Sequence, residues 1–129
     1  MEQLQAKIPR FPGYLDEAAR RLCDELVRSY MGEAIAALMG RLGPLDPALQ
    51  DRFDGLLLRA GFVNQRAFKA YEDAVLSPEQ SAAMASADES VVTLADRGEM
   101  IDLQGAPAYL GEIDAALDAR DAAMVRLAA

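Results

Sequence analysis

The chain has no histidine and a single cysteine, Cys23, and these two facts limit what its side chains can do chemically. Without imidazole there is no Ser-His-Asp or Cys-His nucleophile, no Glu-x-x-His di-iron pattern and no His-containing zinc site. The usual general base near neutral pH is missing as well. Cys23 stands beside Leu22, Leu26 and Val27 in a helical pattern, with Arg20 about one turn before it. A reactive thiolate needs a cation or a helix N-terminus close by, whereas a cysteine in mid-helix among apolar neighbours acts as a small hydrophobe. Asp96, Glu99 and Asp102 gather around Gly98, but not at the Asp-x-Asp-x-Asp-Gly spacing of a calcium loop, and Arg97 among them opposes a cation. They read as a solvated acidic turn. The glycines are isolated helix punctuation, so no phosphate-binding loop is present. No catalytic residue, metal or cofactor is expected. If the chain holds a small ligand, the polar groups expected to converge on it are Tyr30, Arg41 and Tyr71.

Charge narrows the partners. The 129 residues carry a formal charge of −8, and they carry it unevenly. Residues 1–69 hold ten Lys/Arg against nine Asp/Glu, while residues 70–129 hold three against twelve. An acidic half repels nucleic-acid phosphates and anionic lipid and favours a basic protein surface. Asp114, Asp118 and Asp121, spaced four and three apart on the last helical pattern, are the acidic partner surface to expect. The longest apolar run, around Ala34 to Met39, is too short to span a bilayer. No basic and then apolar leader follows Met1, and one cysteine suits a reducing compartment, so a cytoplasmic location is expected.

The elements that must position these groups are helical. At 52% apolar the chain reads as one globular domain over 1–129, an all-α compact bundle of five to six helices. Residues 1–13 read as an extended N-terminal arm, because Pro9 and Pro12 forbid a long helix, with Ile8 and Phe11 as packing points. From Tyr14 to Leu42 runs a helical pattern whose apolar face changes direction. Leu15, Ala19, Leu22 and Leu26 share one side, and Met31, Ile35, Leu38 and Leu42 another. That predicts a break near Gly32 or a helix with two partners. Asp16–Arg20, Glu17–Arg21 and Asp24–Arg28, each four apart, read as its solvated face.

Asp46-Pro47 starts the next helix, with Leu49, Phe53, Leu56, Leu57 and Ala60 inward and Gly61 just past its end. Asn64 caps a helix whose Ala67, Phe68, Tyr71 and Val75 face inward, and Ser77 to Gln80 is a capping box opening a short helix to about Ser86. Residues 91–103 read as helix then loop, with a short β-hairpin turning at Asp96-Arg97-Gly98 as the alternative. Pro107 begins the last helix, whose stripe of Leu110, Ile113, Leu117, Met124 and Leu127 is interrupted by Arg120, as an edge position or an ion pair.

Gly32, Ala36 and Gly40 form a small-residue stripe on a segment poor in charge. With Met31, Ile35 and Met39 it is the expected interface of a homo-oligomer. The residues from Leu57 to Phe68, followed by Leu76-Ser77-Pro78, resemble the second helix-turn-helix of AraC-type transcription regulators. That resemblance implies Asn64, Gln65, Arg66 and Lys69 as groove-reading positions. Tyr71 follows Phe68 by three residues where the family has four, the interval to Ser77-Pro78 is short, and the family's first helix-turn-helix is missing. The sequence therefore points first to a non-catalytic protein-interaction or regulatory module, self-associating or with a basic partner. DNA binding through 49–76 and a small-ligand bundle or histidine-free enzyme are the alternatives.

Overall fold

The computed structural model describes residues 1–128 and is all-α. Six α-helices follow in order: α1 (Glu2–Lys7), α2 (Glu17–Leu42), α3 (Pro47–Gly61), α4 (Gln65–Tyr71), α5 (Pro78–Asp96) and α6 (Ala106–Ala128). A 3₁₀ turn, Arg97–Met100, continues directly from α5, so the hairpin considered for 91–103 does not form. Nor does the helix at Pro78 stop near Ser86; it runs unbroken to Asp96. None of the helices among the described residues is long and apolar enough to cross a membrane.

The helix starts follow from side-chain caps. Asp16, Asp46, Asn64 and Ser77 each accept a hydrogen bond from the backbone N–H three residues on, and Ser77 with Gln80 completes the capping box. Gly43 ends α2 at φ 76°, a conformation open to glycine and strained for other residues. Gly61, by contrast, remains inside α3, and Phe62 is the C-cap. Residues 1–13 are not an extended arm. Pro9 limits α1 without preventing it, and Leu4, Ile8 and Phe11 are buried together.

α2 is the spine, packed along α3 and α5, while α6 lies on α5 and α4. It does not break at Gly32. Its buried residues Arg20, Cys23, Asp24, Val27, Met31, Ile35 and Leu38 fall within about 60° either side of one line at the helical period, and Leu26, also buried, stands about 120° from it, in keeping with a helix that packs on both α3 and α5. The turn in the apolar pattern arises because two members of that line are charged. Arg20 and Asp24 face the core, Ala19 and Leu22 are half-buried, and Leu15 lies before the helix with 90% of its surface exposed. Val75, expected inside α4, falls in the loop after it and is 95% exposed. Gly32 has Ala60 of α3 as its nearest outside neighbour, so one element of the small-residue stripe serves a helix contact within the chain.

Candidate functional site

Three helices place charged residues where the pattern calls for apolar ones, and one from each meets the others in the core. Asp24 sits between Arg20 and Val27 on α2, Asp88 between Met84 and Val91 on α5, and Arg120 between Leu117 and Met124 on α6. All three are almost fully buried. The Arg120 guanidinium donates from Nε to Asp88 at 2.6 Å and from a terminal nitrogen to Asp24 at 2.8 Å. The Tyr14 hydroxyl donates to the other oxygen of Asp88 at 2.5 Å, and Arg28 donates to the other oxygen of Asp24 at 2.9 Å. One layer of the bundle is therefore ionic, and each carboxylate has both oxygens occupied.

Burial works against the charge on Arg120, but Asp88 and Asp24 outweigh it, and its pKa is raised. Burial pushes the Asp88 carboxyl up, while Arg120 and the Tyr14 hydroxyl pull it back toward the ionised form. The Tyr14 hydroxyl is pushed up by burial and then by Asp88, so it serves as a donor and not as a phenolate. Cys23 lies beside the layer, with its thiol donating to the Gly13 carbonyl at 3.1 Å. Burial pushes that thiol up to about 12, which keeps it protonated and unreactive.

A second cation is buried without a carboxylate. Arg20 donates from Nε to the Tyr14 carbonyl at 2.9 Å and from a terminal nitrogen to the carbonyls of Tyr71, Glu72 and Ala74. Its guanidinium also lies 5.5 Å from the centre of the Tyr71 ring. It ties the turn before α2 to the end of α4 and the loop beyond. The Asp16–Arg20 pair expected on the surface is accordingly absent; Asp16 caps Ala19 instead. Glu17–Arg21 and Asp24–Arg28 do form, the first exposed and the second nearly buried.

Next to these satisfied groups, the Tyr71 hydroxyl is buried with no hydrogen-bond partner. A buried hydroxyl without a partner costs about 1–3 kcal/mol. Tyr71→Phe is expected to leave the unfolding free energy unchanged or to raise it by about 1 kcal/mol, measured by urea denaturation. A loss of that size would show that the hydroxyl is bonded in solution.

The other expected positions are dispersed. Met31 and Ile35 are completely buried in the chain's own core, so they are not available to a second copy; Ala36 and Gly40 are exposed and Met39 half-buried. Asp114, Asp118 and Asp121 do share a face, but Arg59 of α3 reaches all three at 3.1, 2.7 and 3.2 Å. Asn64 both caps α4 and donates to Asp121 at 2.9 Å. Gln65, Arg66 and Lys69 are exposed on the same short helix, which packs on α6. Tyr30 and Arg41 line one cleft of about 490 Å³ between α2 and the 3₁₀ turn, while Tyr71 lies in the core away from it. Tyr30 donates to Asp96, and Arg41 to the carbonyls of Gly98 and Ile101. Asp96 also pairs with Lys7, and Asp102 accepts from Gly105, which separates the acidic turn into independent local contacts. Among the described residues no group of three or more Cys, Asp or Glu is arranged to hold a metal ion.

Compared with family models, curated proteins and solved structures, the chain matches none.

Of the ionic layer, only Arg120 stood out in the sequence. Asp88 carried a signal once α5 is read as one helix, because Met84, Asp88, Val91 and Ala95 recur at helical spacing. Asp24 was hidden by its spacing from Arg28, which is also that of a surface ion pair.

Proposed function

We propose that this protein is a non-catalytic interaction module that acts through protein contacts. What carries this reading is the division between core and surface. The buried charges of the core are all satisfied within the chain, Asp24, Asp88 and Arg120 by one another and Arg20 by backbone carbonyls, and large apolar side chains are held out into water. Leu15, Val75 and Met100 are each at least 86% exposed, and Leu58 and Phe62, four apart at the end of α3, are also exposed. Apolar side chains held out by an ordered backbone are contact area that a partner can bury. The three carboxylates around Arg59 weaken the case for DNA at α4, since they put negative charge beside the implied reading positions.

Affinity purification of the tagged chain from its native cell, quantified by mass spectrometry, tests the reading. The expected result is a stoichiometric protein partner that is lost when lysine replaces the apolar residues of one patch among Leu15, Val75, Leu58 and Met100. A chain that purifies alone, or with partners indifferent to every one of those substitutions, contradicts it. Self-association has the remaining small-residue surface, Ala36 and Gly40, to work with. Sedimentation equilibrium distinguishes the two cases: a dimer mass that reverts with Gly40→Arg supports a second copy, and a 13.9 kDa species supports a different partner.

A further inference from the structure

We propose that the groove between the turn before α2 and the loop after α4 docks a basic protein segment carrying an aliphatic side chain. This rests on the interaction-module reading and gives the partner its chemistry. The groove encloses about 400 Å³ between residues 14–20 on one side and residues 72–76 with Ser81 on the other. Leu15 rises from the first wall and Val75 from the second, and they are the two most exposed large apolar side chains among the described residues.

Neither wall is loosely held. The buried Arg20 guanidinium donates to Tyr14 on one wall and to Glu72 and Ala74 on the other, so one cation sets their separation. The Tyr14 side chain is fixed in the core by Asp88, and Arg21 bridges Glu17 and Glu72 across the rim. The backbone therefore presents Leu15 and Val75 in place before a partner arrives, which reduces the ordering cost of binding.

Charge identifies the occupant. Asp16, Glu17, Glu72 and Asp73 line the groove; Arg21 at the rim pairs with Glu17 and Glu72, and Arg20 directs its donors into the backbone, which leaves Asp16 and Asp73 as the carboxylates without a cation among the described residues. Nucleic acid and anionic lipid are repelled by such a lining, and a second copy of a chain with charge −8 brings like charge to it. A segment with Lys or Arg on either side of Leu, Ile or Val satisfies both features. Its aliphatic group covers Leu15 and Val75 while its cations meet Asp16 and Asp73.

Selection of a random-peptide phage library on the immobilised full chain tests this, followed by fluorescence-anisotropy titration of one enriched peptide. The expected peptides carry basic residues flanking an aliphatic one. Their affinity should fall by about tenfold or more with Leu15→Lys, Val75→Lys or Asp73→Lys, and also as salt is raised. Asp114→Lys and Asp118→Lys should leave it unchanged. Because Leu15, Val75 and Asp73 are exposed, circular dichroism of these variants should match the parent. Enriched peptides that ignore Leu15 and Val75 overturn the groove and leave the module reading standing. No enrichment of any peptide overturns both.

Discussion

Replacing Arg120 by methionine is expected to cost about 3–5 kcal/mol of unfolding free energy, the largest effect of any single substitution in this chain. Methionine fills much the same volume, so the loss is not a cavity effect. It follows from leaving Asp88 wholly buried with the Tyr14 hydroxyl as its remaining partner, and Asp24 with Arg28 alone. The pH dependence has a definite sign. Burial already raises the Asp88 carboxyl in the folded protein, and Arg120 is the chief group lowering it. Removing Arg120 raises it further above its unfolded value. A carboxyl raised by folding binds its proton more tightly in the folded state, so the fold gains stability as pH falls through the folded pKa and stops gaining below the unfolded one. The deficit of Arg120→Met relative to the parent should therefore shrink between neutral and mildly acid pH. Urea denaturation of both proteins at several pH values measures it; a deficit that is constant or grows in acid is the contrary outcome.

The second large effect is expected at Arg20. Arg20→Met removes the donor shared by the carbonyls of Tyr14, Tyr71, Glu72 and Ala74, and it removes the cation from the Tyr71 ring. Hydrogen bonds from a charged group are worth about 1.5–3 kcal/mol each and do not add, so a loss of about 3 kcal/mol is expected. The loss should be local before it is global. Amide hydrogen exchange should speed up first in residues 72–76 and at the N-terminal turn of α2, with α5 and α6 keeping their protection. Uniform loss of protection would mean that Arg20 supports the whole core. Since Arg20 spaces the walls of the groove, the same variant should also weaken peptide binding there.

These two arginines mark the limit of what could be read along the chain. Caps were legible because they are local chemistry: Asp16, Asp46, Asn64 and Ser77 bond to an amide three residues away. The all-α class was legible for the same reason, from helical periodicity between such signals. The orientation of α2 was not. Arg20 and Asp24 sit four residues from Asp16 and Arg28, and an ion pair at that spacing is on average a surface feature. Their inward orientation depends on partners 51 and 96 residues away, Tyr71 and Arg120, which no local pattern reveals. Treating them as solvated hid two members of the main buried line; the break at Gly32 does not occur, whereas the alternative of a helix with two partners does, since α2 packs on both α3 and α5. Leu15 and Val75 were placed inside for a different reason, helical periodicity carried past the ends of α2 and α4, and the structure exposes both. The interface expected at Met31 and Ile35 failed for a related reason, because an apolar, charge-poor helix segment looks alike whether its own chain or a second copy covers it.

The ionic layer ties three helices together in the core, and the function proposed for the protein belongs to its surface. A buried ion pair with its partners intact is commonly replaceable by apolar groups of similar volume, whereas a half-removed pair is not. The triple variant Tyr14→Phe, Asp88→Leu, Arg120→Met removes the hydroxyl, the carboxylate and the guanidinium together and leaves Asp24 paired with Arg28. Its unfolding free energy, measured beside that of Arg120→Met, is the most direct test. It should return to within about 1 kcal/mol of the parent or exceed it. A triple variant as unstable as Arg120→Met alone would contradict this, because it would show that the charges cannot be replaced by apolar groups of similar volume.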